Sequence, residues 1–427
     1  MIYFQCRGFS NVNVIYLIVQ NAENKYFMKI KLLIILNICC LNIASAQKEI
    51  WGLKTGNNTA GSYGAIFRTD INGADMSTVY SFDGANGRYP RGKLLLASNG
   101  KLYGTAFKGG YLFPETTESG GVLFEYDLTF DHYTVLAEFG SAELPYMANP
   151  ESGLIEPTPG ILYGTASFGG IYKYTIATGD IQQVGLVPNI DGSIPNPMRG
   201  ELLKASNGFI YGATQNFSAC VIGMPFLGSI VRLNSTNNIF TFIYPFNCTA
   251  NDGKSPSGSF IESPQGKLYG TTWTGGTSTS NAPADDGVLF EYDIANNTYT
   301  KKFSFAHLVS GSYPGPLSLG DNGKLYGVLS TGGFDPTNPN QIVQGTIYEY
   351  DIATNIIAVR HYFKMVGNDY PTGNTPLPNT LLKSSEGYYF GTCSKGVFRF
   401  DPNNADSESN VIIPGNALEY GNLWRPC

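Results

Sequence analysis

One short phrase recurs along the chain and limits what it can fold into: a tight polar turn, then an apolar residue, an aromatic residue and a glycine. It reads KLYG at Tyr103, ILYG at Tyr163, FIYG at Tyr211, KLYG at Tyr269 and Tyr326, YYFG at Phe390 and, reduced to IWG, at Trp51. The tyrosines from Tyr103 to Tyr326 are 60, 48, 58 and 57 residues apart. A strand-rich unit of that length is the size of a propeller blade, longer than a helical solenoid repeat. Seven copies of the phrase point to seven blades.

Residues 258–305 show the unit most clearly. Residues 259–262 read as a first strand closed by the turn Pro264-Gln265-Gly266, 267–272 as a second, 287–293 as a third and 299–305 as a fourth, with a loop over 273–286. Short connections make sequence neighbours sheet neighbours, so the unit is a four-stranded antiparallel meander. A third-strand phrase opening on glycine recurs in step, at Gly64, Gly121, Gly170, Gly228, Gly287, Gly345 and Gly396. The first strand, marked by Leu94, Leu154, Leu202, Phe260, Leu317 and Leu381, is found only six times, while the tail keeps a spare segment over 416–423. Laid beside Trp51, that segment supplies the missing strand and leaves no free sheet edge, much as kelch-type propellers close. The expected fold class is all-β: a seven-bladed β-propeller of four-stranded antiparallel blades, its ring closed by the C-terminal strand.

Residues 1–46 stand apart from the repeat. Lys29 and Lys31 give a basic start, residues 32–41 an apolar core, and Ala44-Ser45-Ala46 the small-residue pattern that signal peptidase accepts. About ten apolar residues are too few to cross a hydrocarbon core roughly 30 Å thick, so the segment reads as a cleaved signal peptide rather than a membrane span. A signal peptide opens on its charged region, which makes Met28 the expected start and 1–27 an over-called one. Residues 47–427 are then a single domain, secreted or held at the cell surface. The whole chain has 27 Lys and Arg against 33 Asp and Glu; Arg7, Lys25, Lys29, Lys31 and Glu23 precede residue 47, which leaves 23 against 32 and a net charge of −9. Without a basic cluster in the sequence, such a surface repels a phosphate backbone, so nucleic acid is not an expected partner.

Four cysteines follow the leader, Cys220, Cys248, Cys393 and Cys427. An even number in an oxidising compartment reads as disulfides, with three pairings open; the favoured one joins Cys220 to Cys248 within one repeat and leaves Cys393 with Cys427. There is no Cys-x-x-Cys, and His132, His307 and His361 are scattered, so neither a metal nor another cofactor is expected.

The wording of the repeat resembles a named bacterial family. Asp83-Gly84, the run Pro90-Arg91-Gly92-Lys93-Leu94-Leu95, and Asn99-Gly100-Lys101-Leu102-Tyr103-Gly104-Thr105, followed by paired glycines and Gly-Val-Leu-Phe-Glu-Tyr-Asp, are similar to the choice-of-anchor tandem repeat of the GloVer type, the Gloeobacter/Verrucomicrobia repeat. The likeness runs over residues 51–389. It implies secreted or surface proteins whose attachment varies between members, and it implies no defined activity. No sorting domain or hydrophobic tail precedes Trp424-Arg425-Pro426-Cys427, which favours a freely exported protein or a truncated gene model as the expectation.

Gly109-Gly110, Gly169-Gly170, Gly275-Gly276 and Gly332-Gly333 lack the following helix that a phosphate loop needs and read as turns. Asp127, Asp293 and Asp351 share one repeat position, which argues for a turn role, and Asp285, Asp286 and Asp335 match no calcium-loop spacing. No loop concentrates a base, a nucleophile and a stabiliser of developing charge. What stands out is an aromatic residue early in the loop after the second strand of five repeats: Phe107, Phe168, Phe217, Trp273 and Phe334. Equivalent loops leave a propeller on one face, so the rings either form a rim for stacking on a ligand or wedge between blades. The reading is an exported, monomeric binding or scaffold module for an extracellular glycan or protein; the alternative is a propeller-fold polysaccharide lyase or hydrolase. Peptide mapping of the exported protein without reductant should find Cys220 joined to Cys248, a bridge contributing on the order of 3 kcal/mol, whereas four free thiols would refute it.

Overall fold

Seven small antiparallel sheets follow one another between Glu49 and Trp424, and among the described residues there is no helix. The computed structural model describes residues 49–424 except 57–60, 111–118, 142–143, 145–146, 168–169, 187–197, 199, 216–225, 248–250, 278–285, 339–342, 365–375, 378–380, 394–395, 405–409 and 415–422. The sheets are the seven blades of a β-propeller. In blade 5, for example, Ile261–Glu262, Lys267–Thr274, Val288–Asp293 and Thr298–Ser304 are strands one to four in that spatial order.

The recurring glycine is explained by what lies opposite it. Gly104 pairs with Phe124, Gly164 with Tyr172, Gly270 with Phe290, Gly327 with Tyr348 and Gly391 with Phe398, each across strands two and three of one blade. The aromatic ring folds back over the glycine. A Cβ there would sit 2.3 to 2.6 Å from the ring, closer than any real contact. The aromatic residue just before the glycine points out of the sheet and into the next blade. Tyr103 packs with Leu162 and Tyr174 of blade 3, Tyr211 with Leu268 and Tyr292 of blade 5, and Tyr269 with Leu325 and Tyr350 of blade 6. Each such ring is almost wholly buried. Removing roughly 200 Å² of ring surface from water is worth on the order of 5 kcal/mol before entropy, several times a net hydrogen bond, so these seams are the core. The seam between the last blade and the first has its own cluster, with Ile50 and Phe67 against Phe390 and Val397.

A second device joins blades by backbone shape. Pro90, Pro150, Pro256, Pro314 and Pro376 each lie against a glycine that opens the third strand of the preceding blade: Gly64, Gly121, Gly228, Gly287 and Gly345. Those glycines have φ between 98° and 121°, and a side chain there would collide with the proline ring. Tyr89, Asn149, Ser255 and Tyr313, immediately before four of the prolines, are themselves left-handed at φ 50–59°. A residue before proline avoids helical conformations for steric reasons, so the docking of the proline holds each one there.

First strands are the innermost. Consecutive ones nearly touch: a Cβ on Gly92 would fall 2.3 Å from the Ser152 carbonyl oxygen, and one on Gly200 would fall 2.0 Å from Gly258. At the opposite edge, the turns into strand four leave Phe130, Ile239 and Ile356 exposed. Lys93 of blade 2 and Glu201 of blade 4 meet at 2.9 Å, past blade 3, where Gly153 has no side chain to obstruct them.

Two features differ from the sequence reading. The first strand is split in blades 2, 5 and 6, where Arg88–Pro90, Lys254–Pro256 and Ser312–Pro314 pair with the far end of strand two. That extra pairing lengthens strand two, so Phe107 and Trp273 belong to Leu102–Lys108 and Lys267–Thr274 and not to the loops that follow. Beside strand two of blade 1 lies Leu423–Trp424, antiparallel, with Trp51 opposite Trp424; residues 415–422 of the spare segment fall outside the described residues.

The ring that covers the glycine is Phe67, Phe124, Phe290 or Phe398 in four blades but Tyr172 and Tyr348 in two, whose fully buried hydroxyls have no hydrogen-bond partner. Burial pushes both phenols up in pKa. Replacing a buried unsatisfied hydroxyl by hydrogen removes a desolvation cost, so Tyr172→Phe and Tyr348→Phe should each stabilise the fold by about 1 kcal/mol. Thermal melts showing either variant less stable than the parent would contradict this account.

Candidate functional site

Strand direction alternates within a blade. The loops from strand two to strand three and from strand four to the next blade therefore share one face, the loop face, and the hairpin turns share the other. Around blade 6 the loops of the loop face are knitted together. The amides of Val309, Ser310 and Gly311 all donate to the Ala306 carbonyl, Gly333 donates to His307 O at 2.8 Å and Phe334 to Val309 O at 3.2 Å. Asp286, almost fully buried, accepts the His307 amide at 3.0 Å. On this rigid support Leu308, Val309 and Phe334 are 60%, 65% and 44% exposed. Next to it Trp273 of blade 5 stacks on Tyr313 of blade 6, centroids 5.4 Å apart and planes at 29°.

His307 Nδ1 lies 2.7 Å from Ser312 Oγ, the spacing of a base and a nucleophile. The rest of the arrangement does not suit acyl transfer. Ser312 is buried in its strand with Oγ also 3.2 Å from Thr331 Oγ1, and Asp286 accepts the backbone amide of His307. The pair fixes the loop.

Of the five rim aromatics, Phe168 and Phe217 lie outside the described residues. Phe107 is half-buried, with the Arg91 guanidinium 3.9 Å from its ring centroid and Arg91 itself 2.8 Å from Glu151. Trp273 is half-buried in its stack and Phe334 is open. The three are thus on one face but in three different settings. Cys393 is buried at the end of strand two of blade 7, while Cys220, Cys248 and Cys427 lie outside the described residues. Paired glycines such as Gly275 and Gly276 have φ 88° and 97°, the left-handed region that tight turns use. The exposed pair Leu308-Val309 was readable in the sequence as two aliphatic residues between strands, but nothing there marked it as rigid.

The Gloeobacter/Verrucomicrobia repeat profile matches residues 41–177 and 167–402. The chain belongs to that repeat family. Among curated proteins there is no match. Of solved structures, a putative 6-phosphogluconolactonase from Bacteroides fragilis aligns at 11% identity over 90% of this chain and 99% of its own, with a TM-score of 0.57. An oligogalacturonate lyase in complex with manganese aligns at 13% identity over 86% of each chain, with a TM-score of 0.50. At such identities the shared property is the fold.

The two phrases of the Gloeobacter/Verrucomicrobia repeat meet on the turn face. In blade 5 Lys267 reaches Glu291 at 2.8 Å, Tyr269 donates to the same carboxylate at 2.5 Å, and Asp293 accepts the amides of Ala295 and Asn296. Blades 2 and 6 repeat this with Lys101, Tyr103, Glu125 and Asp127, and with Lys324, Tyr326, Glu349 and Asp351. Asp127, Asp293 and Asp351 therefore close turns. Burial alone would push the Glu291 carboxyl up, but hydrogen bonds from Lys267 and Tyr269 and the charge of Lys302 outweigh it and hold the group below its usual range. Such a lowered group stabilises the fold above the ordinary glutamate value of about 4.3, and that contribution is lost as pH falls through the folded value. Melting temperature should be flat from neutrality to about pH 5 and fall below it, with a shallower acid slope in Glu291→Gln. Equal acid slopes in parent and variant would count against this role.

Proposed function

We propose that this member of the repeat family is an exported binding module whose loop face at blade 6 takes an extracellular glycan. The observation that carries the reading is the open trio Leu308, Val309 and Phe334 on a hydrogen-bonded platform, because contiguous exposed apolar groups mark contact surfaces. The adjoining Trp273–Tyr313 stack adds flat ring surface, and the protein's negative charge leaves neutral sugars as the natural stacking partner. Export is supported by the basic start, apolar core and Ala44-Ser45-Ala46 of the leader. Polysaccharide cleavage, the other reading, has only fold likeness to an oligogalacturonate lyase behind it, and fold does not carry reaction.

The test is retention of the full-length protein on an immobilised glycan array. Phe334→Ala, at an exposed position, should leave the melting temperature unchanged and weaken retention by about tenfold, the loss of one stacking contact. Trp273→Ala should weaken it as well. A parent that binds no glycan, or one that binds only a protein, refutes the reading, as does a Phe334→Ala variant retained like the parent.

A further inference from the structure

All seven blades carry a bulge at the same point of strand four, opposite the step into the residue that faces the glycine of strand two. The extra residue is Val79, Leu136, Val184 or Ile243 in blades 1 to 4. Each of these packs into the hydrophobic cluster shared with the following blade. In blades 5 and 6 the same position is Lys302 and Arg360. Arg360 spans its seam, donating to the Pro402 carbonyl at 2.9 Å. Lys302 turns back to Glu291 of its own blade, at 3.5 Å, and lines a cleft of about 480 Å³ between blades 5 and 6.

We propose that this cleft is a second binding site, on the turn face, for a neutral sugar unit. Its volume lies within the roughly 300–1,000 Å³ range of small-molecule sites. Lys267, Lys302 and Glu291 line it from blade 5, and Asp351, Asn322 and Asn355 from blade 6. Two ammonium groups and two carboxylates leave the lining without net charge. Lys267 and Glu291 are already paired at 2.8 Å, so a charged ligand would have to break that bond to find a partner. Hydroxyl groups need not: they donate to the free lone pairs of the carboxylates and accept from ammonium and amide groups. The cleft is on the opposite face from the blade 6 platform and stands or falls separately.

Ligand-observed saturation-transfer NMR on the full-length protein tests this, with methyl glucoside, methyl galactoside and methyl mannoside as probes and methyl glucuronide and glucosamine as charged controls. At least one neutral glycoside should receive transfer with weak affinity, about millimolar, as expected for a single ring. Lys302→Leu installs the residue type that blade 2 carries at this position, Leu136, so the variant should fold and lose at least about tenfold in affinity. Gln265→Trp, in the exposed turn at the cleft margin, should also block the probe without touching the core. Phe334→Ala should leave the signal intact, which separates this site from the loop face. Absence of transfer to every neutral probe, transfer only to the charged controls, or an unchanged signal in folded Lys302→Leu or Gln265→Trp would overturn the proposal.

Discussion

The fold depends on a steric alternation within two residues. The glycine of strand two leaves room for a ring from strand three of the same blade, and the aromatic residue before it crosses to the next blade. One residue therefore closes the blade on itself and its neighbour closes the ring. Because successive side chains of a strand point to opposite faces, the two duties cannot be exchanged, and a one-residue slip would bury neither ring. The polar groups around this pair are orienting: Tyr103, Tyr269 and Tyr326 find a glutamate on the facing strand, which satisfies the hydroxyl that an inter-blade ring must carry inward.

Much of this was legible in the sequence because it is periodic and local. Seven aromatic–glycine phrases and seven glycine-led third strands fix blade number and strand order, and Asp127, Asp293 and Asp351 announce their turns by shared position. What was not legible depends on pairing between distant residues. Whether Trp273 ends a strand or begins a loop is decided by Lys254 lying opposite Thr274, twenty residues away in the chain. The prolines that lock blade to blade looked like ordinary turn residues until the glycines they rest against were located.

The candidate sites were harder still, for two different reasons. Phe107, Trp273 and Phe334 look alike in sequence, yet one lies under a guanidinium, one in a stack and one in the open, because exposure is set by what the neighbouring blade supplies. The cleft beside Lys302 is a matter of register. A lysine in a strand normally reads as a solvated side chain; only the bulge directs it to a position where every earlier blade places an aliphatic group. Repetition helps here, since each blade serves as a control for the others.

The bond between Lys93 and Glu201 reaches past an entire blade, over the bare backbone of Gly153, at the innermost layer of strands. It acts as a crossbar. Parting the two side chains would leave an ammonium and a carboxylate, each only partly exposed, without each other's charge. The hub of this ring is thus braced across three successive blades by a single ion pair.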